Sequence, residues 1–290
     1  MILITGASGT VGRAVLEEVR EAGKPFKAMY RNTEDAKKAP PGVPTVLADF
    51  ADKNSLKQAL QGIDTAFVVC SPIPQLVELE GNMIDACKEA GVRHIVLNSA
   101  LGAGDYPKSF PSWHRKVEDK LNVSGLGYTI LRPNGFMQNI VAFHAPSIRA
   151  QGAFYVSMGG AKTSVIDVRD VALAAAKALI APAEHAGKTY ELNGPEALSN
   201  DEIAAGISRI TGQTVRYVDI PEEAQRQSML DLGMPEWQVT ALLELQEYYI
   251  TGKCGAVTDV LPELLGRPSI TLDQFLNEFK DSFRGQAAGA

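Results

Sequence analysis

Three glycines stand close together near the start of the chain, at Gly6, Gly9 and Gly12 within MILITGASGTVG. They follow a short apolar run and precede a segment of helical period, which predicts a turn from a strand into a helix. In such a turn the first glycine supplies backbone freedom, the second leaves room for a pyrophosphate, and the third lets the helix pack close to the sheet. Helix N–H groups then point at the phosphates, and Ser8 and Thr10 add hydroxyl donors. The pattern predicts a dinucleotide-binding turn, with a tight turn that holds no ligand as the alternative.

Two charged residues further on indicate which dinucleotide would bind. NAD sites usually carry Asp or Glu about 20 residues beyond the glycines, where the carboxylate binds the ribose 2′-hydroxyl. Arg31, in AMYRN, stands at that position, and its guanidinium favours the 2′-phosphate of NADP. Asp49, which ends TVLAD, is placed to accept a hydrogen bond from an adenine amino group. The alternatives are a solvated surface arginine and an aspartate that only caps the following turn.

Short strand-like runs alternate with helical or polar segments through the first half of the chain. The runs are MILIT, PFKAMY, TVLAD, TAFVVC, HIVLNSA and YTILR. This alternation predicts a parallel sheet with helices on both faces. The expected fold class is therefore α/β, a Rossmann-type doubly wound parallel sheet. Its first helix should run from Thr10 to about Ala22, and a longer helix should stop at Gly91.

The alternation changes after YTILRPNGF, where we expect a second, smaller and mostly helical domain. We assign residues 1–155 to the NAD(P)-binding domain, to which a segment at about 163–182 returns, and residues 156–290 to a substrate-binding domain. The strand KTYELNG falls in the second part. Two S/T-x-x-E/Q capping boxes predict helix starts there, and the final RGQAAGA is expected to fray. The boxes are Ser199 with Glu202 and Thr271 with Gln274.

Composition argues against several classes of protein. Of 290 residues 45% are hydrophobic, and 28 basic and 34 acidic residues give a net charge of −6 without a basic stripe, so no nucleic-acid partner is expected. Cys70, Cys87 and Cys254 lack metal-ligand spacing and are odd in number, which favours a reducing cytoplasm, with neither a metal site nor a disulfide framework. The opening MILIT has no basic residues and its apolar run is short, so we expect no signal peptide; no run of 18 apolar residues is present, so no membrane partner is expected. The formation of a homo-oligomer is an open alternative to a monomer.

The turn, the strand alternation and NSA after the fifth strand resemble the short-chain dehydrogenase/reductase superfamily. Its members normally use Y-x-x-x-K beyond that strand. The only such pattern in this chain runs from Tyr249 to Lys253, far along the helical part, and we interpret it as a chance match. At the expected place, in SWHRKVEDKLNVSG, His114 and Glu118 stand at the spacing of the tyrosine and the lysine.

Three longer segments resemble one branch of that superfamily, the NmrA-like atypical short-chain dehydrogenases. They are HRKVEDKLNVSGLGYTILRPNGFMQN, SVIDVRDVALAAAKAL and GKTYELNGPEALSNDEIAAGISRITG, and the likeness covers nearly the whole chain. The family includes NADPH-dependent quinone and triphenylmethane-dye reductases, and also redox-sensing regulators that bind the dinucleotide without turning it over. The resemblance implies that adenosine and pyrophosphate are held by Gly6, Ser8, Gly9, Thr10, Gly12, Arg31 and Asp49. It places near the ribose and nicotinamide Ser71, Pro72, Ser99, Pro133, Asn134 and Gly135.

The missing tyrosine bears on the substrate. Reduction of an isolated ketone builds charge on one oxygen and benefits from a positioned proton donor. A quinone or cationic dye spreads or cancels that charge, so orientation against the nicotinamide suffices. Flat apolar walls for such an acceptor are expected from Trp113, Phe136 and Met137, although packing in the core is the alternative for the last two. The leading candidate donor is His114, for which a structural role is the alternative, and Ser99 is second.

These inferences lead to one functional hypothesis and two alternatives. The hypothesis is an NADPH-dependent oxidoreductase that transfers hydride to an extended aromatic or quinone-like small molecule. One alternative is reductive activation of a polycyclic aromatic natural product that ends in its oxygenation. The other is a regulatory protein that binds NADP without catalysis.

Overall fold

A computed structural model of the protein describes residues 1–284, and the chain divides into two compact units. Unit 1 comprises Met1–Pro133 and Val168–Leu192, and unit 2 comprises Asn134–Asp167 and the chain from Asn193 onward. Most of the tail that was expected to fray, residues 285–290, lies outside the described residues.

The strands are short, as expected for runs that end in turns on both sides. Their bounds are β1 (Ile2–Ile4), β2 (Phe26–Tyr30), β3 (Thr45–Leu47), β4 (Thr65–Val68), β5 (His94–Asn98), β6 (Gly127–Pro133), β7 (Ala153–Val156), β8 (Lys162–Thr163), β9 (Lys188–Leu192), β10 (Leu198–Ser199) and β11 (Arg216–Asp219).

The helices separate these strands in unit 1 and make up most of unit 2. Their bounds are α1 (Thr10–Glu21), α2 (Thr33–Ala36), α3 (Lys53–Ala59), α4 (Leu76–Ala90), α5 (Ser109–Asn122), α6 (Ala145–Gln151), α7 (Val168–Ile180), α8 (Pro182–His185), α9 (Asn200–Thr211), α10 (Glu222–Asp231), α11 (Glu236–Ile250), α12 (Val260–Leu265) and α13 (Leu272–Phe283). A π-helical turn spans Ile140–His144, and a 3-10 turn spans Lys253–Gly255.

Unit 1 is built on a parallel sheet. Within the described part of the chain, seven strands pair in the order β3-β2-β1-β4-β5-β6-β9, and every pairing is parallel. All residues of β1, β4 and β5 are buried, as sheet strands covered by helices on both faces must be. The strand order reverses direction between β1 and β4, which is the switch point at which such sheets bind ligands. The expected Rossmann-type fold is confirmed.

The bounds of the units differ from those drawn on the sequence. Unit 1 ends at Pro133 instead of 155, because Met137, Ile140 and Phe154 pack into the apolar core of unit 2. The returning segment runs from Val168 to Leu192 instead of 163–182. It ends in β9, the strand expected in the smaller domain, which pairs with β6 at the edge of the sheet.

Unit 2 has its own apolar core, to which the last helix contributes most. Both capping boxes that the sequence predicted are present, at the starts of α9 and α13. From α13, Leu272, Phe275, Leu276 and Phe283 are buried in that core. Among the residues that the structure describes, no helix combines the length and apolarity needed to cross a membrane, and no group of side chains is arranged to hold a metal ion.

Candidate functional site

Two of the three glycines in the first turn are required by the chain's own packing. Gly6 has φ +61°, and a Cβ there would lie 2.6 Å from Val69 Cγ1. A Cβ on Gly12 would lie 2.2 Å from the Gly6 carbonyl oxygen and 2.6 Å from that of Thr5. Helix α1 therefore approaches the end of β1 too closely for any side chain at Gly12.

Gly9 has no such reason to be glycine. Its φ of −91° and ψ of 171° suit any residue, and a Cβ there would meet only the Gly6 carbonyl oxygen, at 3.4 Å. Gly9 is exposed, as are its neighbours Ser8 and Thr10. The protein thus leaves space outside the turn at Gly9, where a pyrophosphate approaches in dinucleotide sites. The residues present fit such a group.

The N-terminus of α1 faces this space without a protein cap. No side chain caps the helix and its first turn holds no acidic residue. Arg13 N donates to Gly9 O at 3.0 Å, which is the first helical hydrogen bond, so the preceding N–H groups have no acceptor within the helix. Those N–H groups and the positive end of the helix dipole together favour an anion. This arrangement favours the phosphate-binding interpretation over a tight turn without a ligand.

Three sequence positions follow the carboxyl ends of neighbouring strands: Arg31 follows β2, Asp49 follows β3 and Cys70 follows β4. Strands β2 and β3 lie on the β1 side of the switch point, and β4 borders it on the other side. Burial raises the pKa of the Cys70 thiol to about 11, and the charge of Glu80 adds to that rise, whereas Arg31 lowers this pKa and Asp49 raises it. The charges of Arg31 and Asp49 therefore both influence the pKa of one thiol, that of Cys70 at the end of β4. Arg31 itself is exposed.

Asp49 caps the turn that follows it. Its Oδ1 accepts from Ala51 N at 2.9 Å, and its own backbone N–H donates to Ser55 Oγ at 3.0 Å. A turn-capping aspartate was the alternative interpretation of Asp49 from the sequence. The contact between Asp49 and an adenine amino group stays a prediction.

The turn after β4 exposes Ser71 and Pro72, and Ile73 N donates to Ser71 O at 2.8 Å. Behind this turn lies Glu80, a fully buried carboxyl that sequence reasoning missed. Burial raises the pKa of Glu80 to about 8; the Cys70 N–H opposes the rise but lies outside normal hydrogen-bond geometry for either oxygen. Glu80 is therefore mostly protonated at neutral pH. Its position within the mainly apolar face of α4 was the signal available in the sequence.

Ser99 and Glu118 form a buried network with Arg132. Ser99 Oγ donates to Glu118 Oε1 at 2.6 Å, and Arg132 donates from Nε to Oε1 at 2.9 Å and from Nη2 to Oε2 at 2.6 Å. A Cβ on Gly104 would lie 2.8 Å from Arg132 Nη1, so the loop after β5 covers the guanidinium closely. The Ser99 hydroxyl proton is directed at Glu118, which makes Ser99 a poor proton donor to a substrate. Sequence reasoning missed Arg132, although a charge within the apolar run YTILR requires a partner.

His114 lies on α5 one turn before Glu118 and is only 6% exposed. Its Nδ1 is inaccessible and has no hydrogen-bond partner among the described residues. Burial lowers the pKa of His114 to about 4, against the opposing charge of Glu118. The His114 imidazole is therefore neutral at neutral pH. In this form it can donate one hydrogen bond, but it is not the imidazolium that acts as a strong proton donor.

Asn134, expected near the nicotinamide, has its whole side-chain amide engaged inside unit 2. Its Nδ2 lies 3.1 Å from Ser164 Oγ, 3.0 Å from Asn193 Oδ1 and 2.9 Å from Cys254 O, and its Oδ1 accepts from Gly135 N at 2.8 Å. The side chain holds the segments of unit 2 together instead of being directed at a ligand. Pro133, the last residue of β6 in unit 1, accepts from Leu101 N at 2.9 Å.

The three expected apolar walls differ in exposure. Met137 is 1% exposed in the core of unit 2, which is the packing alternative. Phe136 is partly exposed and forms a backbone bridge with Ile166. Trp113 is also partly exposed; it packs on the core of unit 1 and meets Phe110 edge to face at 5.2 Å.

Comparison with known proteins gives consistent matches over nearly the full length. The model of the NmrA-like family matches residues 1–264. An NAD(P)H azoreductase of Xenophilus azovorans is 37% identical over 98% of this chain and 99% of the relative. A (4-alkanoyl-5-oxo-2,5-dihydrofuran-3-yl)methyl phosphate reductase of Streptomyces griseus is 33% identical over 98% of this chain and 99% of its own. The NADPH complex of an Escherichia coli NADPH-dependent quinone oxidoreductase superposes with a TM-score of 0.88 at 30% identity, covering 96% and 99% of the two chains.

Proposed function

Because the chain belongs to the NmrA-like family and is an oxidoreductase like the relatives that it matches, we propose that it transfers hydride from NADPH to an extended, conjugated acceptor such as a quinone or an azo dye. The pairing of Glu118 with Arg132 is the observation that supports a conjugated acceptor over an isolated ketone. Where the wider superfamily has a lysine that activates a tyrosine, this chain has a neutralised carboxylate and a neutral His114.

The first turn and Arg31 support the choice of cofactor. Gly9 and the uncapped N-terminus of α1 bind the pyrophosphate, with Ser8 and Thr10 as additional donors. Arg31 follows β2 and is exposed, so its guanidinium is available to pair with the 2′-phosphate that distinguishes NADP from NAD. When bound, NADPH supplies a hydride from C4 of its nicotinamide.

The acceptor follows from what the chain offers in place of a strong acid. His114 donates at most one neutral hydrogen bond, because burial holds its pKa near 4. Ser99 directs its proton at Glu118. A delocalised acceptor, whose charge is spread or cancelled on reduction, needs no more than this from the protein. Within unit 1, the partly exposed Trp113 supplies aromatic surface for it.

The test is an anaerobic NADPH oxidation assay across quinones, azo dyes and cationic dyes, repeated in air with product masses recorded. Turnover with two-electron reduction of the acceptor is expected. Products that gain oxygen in air would indicate the oxygenation alternative. Tight NADPH binding with no turnover on any acceptor would overturn the proposal in favour of a dinucleotide sensor.

A further inference from the structure

The carboxyl group of Glu80 is sealed inside unit 1. Glu80 lies on α4, none of its surface is exposed, and neither Oε1 nor Oε2 has a hydrogen-bond partner among the described residues. Its helix neighbours Leu76, Met83 and Ile84 belong to the apolar core of unit 1. A buried carboxyl without partners costs stability, and titratable groups in such surroundings occur most often at functional sites.

The end of β4 connects this carboxyl group to the glycine turn, all within unit 1. The backbone N–H of Cys70 lies close enough to Glu80 to favour its charged form, and the charge of Glu80 acts on the Cys70 thiol in turn. The preceding residue, Val69, donates from its N–H to Thr5 Oγ1 at 3.0 Å. A Cβ on Gly6 would lie 2.6 Å from Val69 Cγ1. A displacement of Cys70 and Val69 would therefore reach the turn at Gly6.

The charges on the neighbouring helices do not compensate a charge on Glu80. Helix α4 packs against β4, α3 and α5. From α5, Lys120 approaches the residue after Glu80, since a Cβ on Gly81 would lie 3.2 Å from Lys120 Nζ, but this ammonium group pairs with Asp85 at 2.8 Å. The charged residues of α3 are exposed, as is the nearest acidic residue on α4 itself; they are Lys53, Lys57 and Glu78.

At the end of β4 the titratable neighbour is the Cys70 thiol, on which Arg31 and Asp49 act with opposite signs. Burial raises the pKa of Glu80 to about 8, and only the Cys70 N–H opposes that rise. Above this pH the carboxyl group would carry a charge within an apolar core, which is costly unless the group reaches water or a partner. The turn between β4 and α4, in which Ser71 and Pro72 are exposed, is the segment whose displacement would let water in.

We propose that Glu80 is a positioning residue of the cofactor site: its neutral carboxyl group lets Val69 and Cys70 support the glycine turn, and its ionisation in alkaline solution displaces them and weakens NADPH binding. This inference rests on the proposed function, because NADPH is the ligand that the turn would hold. Glu80 acts through the end of β4 and is not itself a ligand of the cofactor.

The first test is the affinity for NADPH at pH 7 and pH 9, measured by calorimetry. At pH 9 only about a tenth of the molecules would keep a neutral Glu80, so the affinity of the parent should fall about tenfold. Glu80→Gln and Glu80→Met cannot ionise and should change by less than about twofold over the same interval. The matched control is Glu78→Gln, which removes an exposed carboxylate from the same helix and should follow the parent.

A second test needs no cofactor. The folded pKa of Glu80, about 8, lies above the ordinary value of 4.5, so between these pH values the unfolded chain binds fewer protons and the parent loses stability as the pH rises. Glu80→Gln removes this loss. Its advantage over the parent in the free energy of unfolding should therefore grow from pH 6.5 to pH 8, whereas Glu78→Gln should show no such trend.

The outcomes separate this inference from the proposed function. A parent that does not bind NADPH at pH 7 overturns the proposed function and, with it, the role of Glu80. A parent that binds at pH 7 but shows no fall by pH 9, or the same fall in Glu80→Gln, overturns the role of Glu80 alone. So does failure of both neutral variants to fold, because a neutral side chain of this size should be accommodated. An alkaline loss that is present in the parent and in Glu78→Gln but absent from both Glu80 variants supports the proposal.

Discussion

Glu118 receives two hydrogen bonds from the Arg132 guanidinium, at 2.9 Å from Nε and 2.6 Å from Nη2, while its Oε1 also accepts from Ser99. The carboxylate stands on α5 at the spacing of a superfamily lysine and therefore reverses the charge at that position. Arg132 comes from β6 and Ser99 follows β5, so the pair ties α5 to the carboxyl edge of the sheet in unit 1. The network positions α5, which also carries His114.

We expect Glu118→Gln to be strongly destabilising. It would remove the buried partner of the mostly buried Arg132 guanidinium and leave only the exposed Glu191 carboxylate, 3.4 Å from Nη1, at a cost of about 3 kcal/mol in the free energy of unfolding. Adding Arg132→Met should recover part of the loss, because the poorly compensated charge is then removed as well. Denaturant unfolding at neutral pH measures both. The matched control is Asp119→Asn, which breaks an exposed pair with Arg115 and should cost less than about 1 kcal/mol. Similar losses at positions 118 and 119 would contradict the assignment of a buried network.

The sequence located β1 to β6 within a few residues, because each is a short apolar run that a parallel sheet buries on both faces. The family was predicted from three long motifs, and the match of the family model to residues 1–264 confirms it. The place of β9 at the sheet edge was missed, since its pairing with β6 depends on contacts far apart in the chain. The partner of Glu118 was missed for the same reason: a spacing shows which residues share a helix face, but not which strand supplies the opposing charge. The roles of the site residues in binding stay predictions.

Substitutions at Gly9 and Gly12 should affect different properties: the first should remove NADPH binding, and the second should lower stability. Gly9→Val leaves the backbone in a conformation open to valine but fills the space beside the N-terminus of α1, so NADPH binding should be lost with little change in the unfolding midpoint. Gly12→Ala forces a methyl group to 2.2 Å from a carbonyl oxygen and should unfold or severely destabilise the protein. Calorimetry with NADPH and thermal unfolding separate the two effects. Unchanged NADPH affinity in folded Gly9→Val would show that the turn does not hold phosphate.

Arg31 should set the preference between the two dinucleotides. We expect the parent protein to bind NADPH more tightly than NADH by about 1–3 kcal/mol, the value of a hydrogen bond to a charged group. Arg31→Asp should abolish or reverse that preference, because the carboxylate repels the 2′-phosphate and accepts from a 2′-hydroxyl. Titration of each variant with both cofactors provides the measurement, and Lys57→Asp, a charge change on α3, controls for the net charge. Equal affinities of the parent for the two cofactors would contradict the role given to Arg31.

The buried His114 makes the free energy of unfolding depend on pH. Burial holds the pKa of His114 in the folded protein at about 4, below the ordinary histidine value of 6.5, so between these two pH values the unfolded chain binds more protons than the folded one. Its contribution to stability is therefore present above pH 6.5 and lost as the pH falls towards 4. His94 and His144 shift in the same direction, so His114→Gln should reduce the slope of unfolding free energy against pH without abolishing it.

The same substitution should lower turnover of simple quinones only modestly, well below the roughly 10²- to 10⁴-fold effect of a positioned acid or base. An acceptor with a localised carbonyl should lose more, because its charge cannot spread. Denaturant unfolding from pH 7.5 to 5 and turnover of both acceptor types at saturating NADPH test the two expectations. A loss above about a thousandfold on simple quinones would identify His114 as an obligatory acid, whereas no loss on any acceptor would leave it a structural residue of α5.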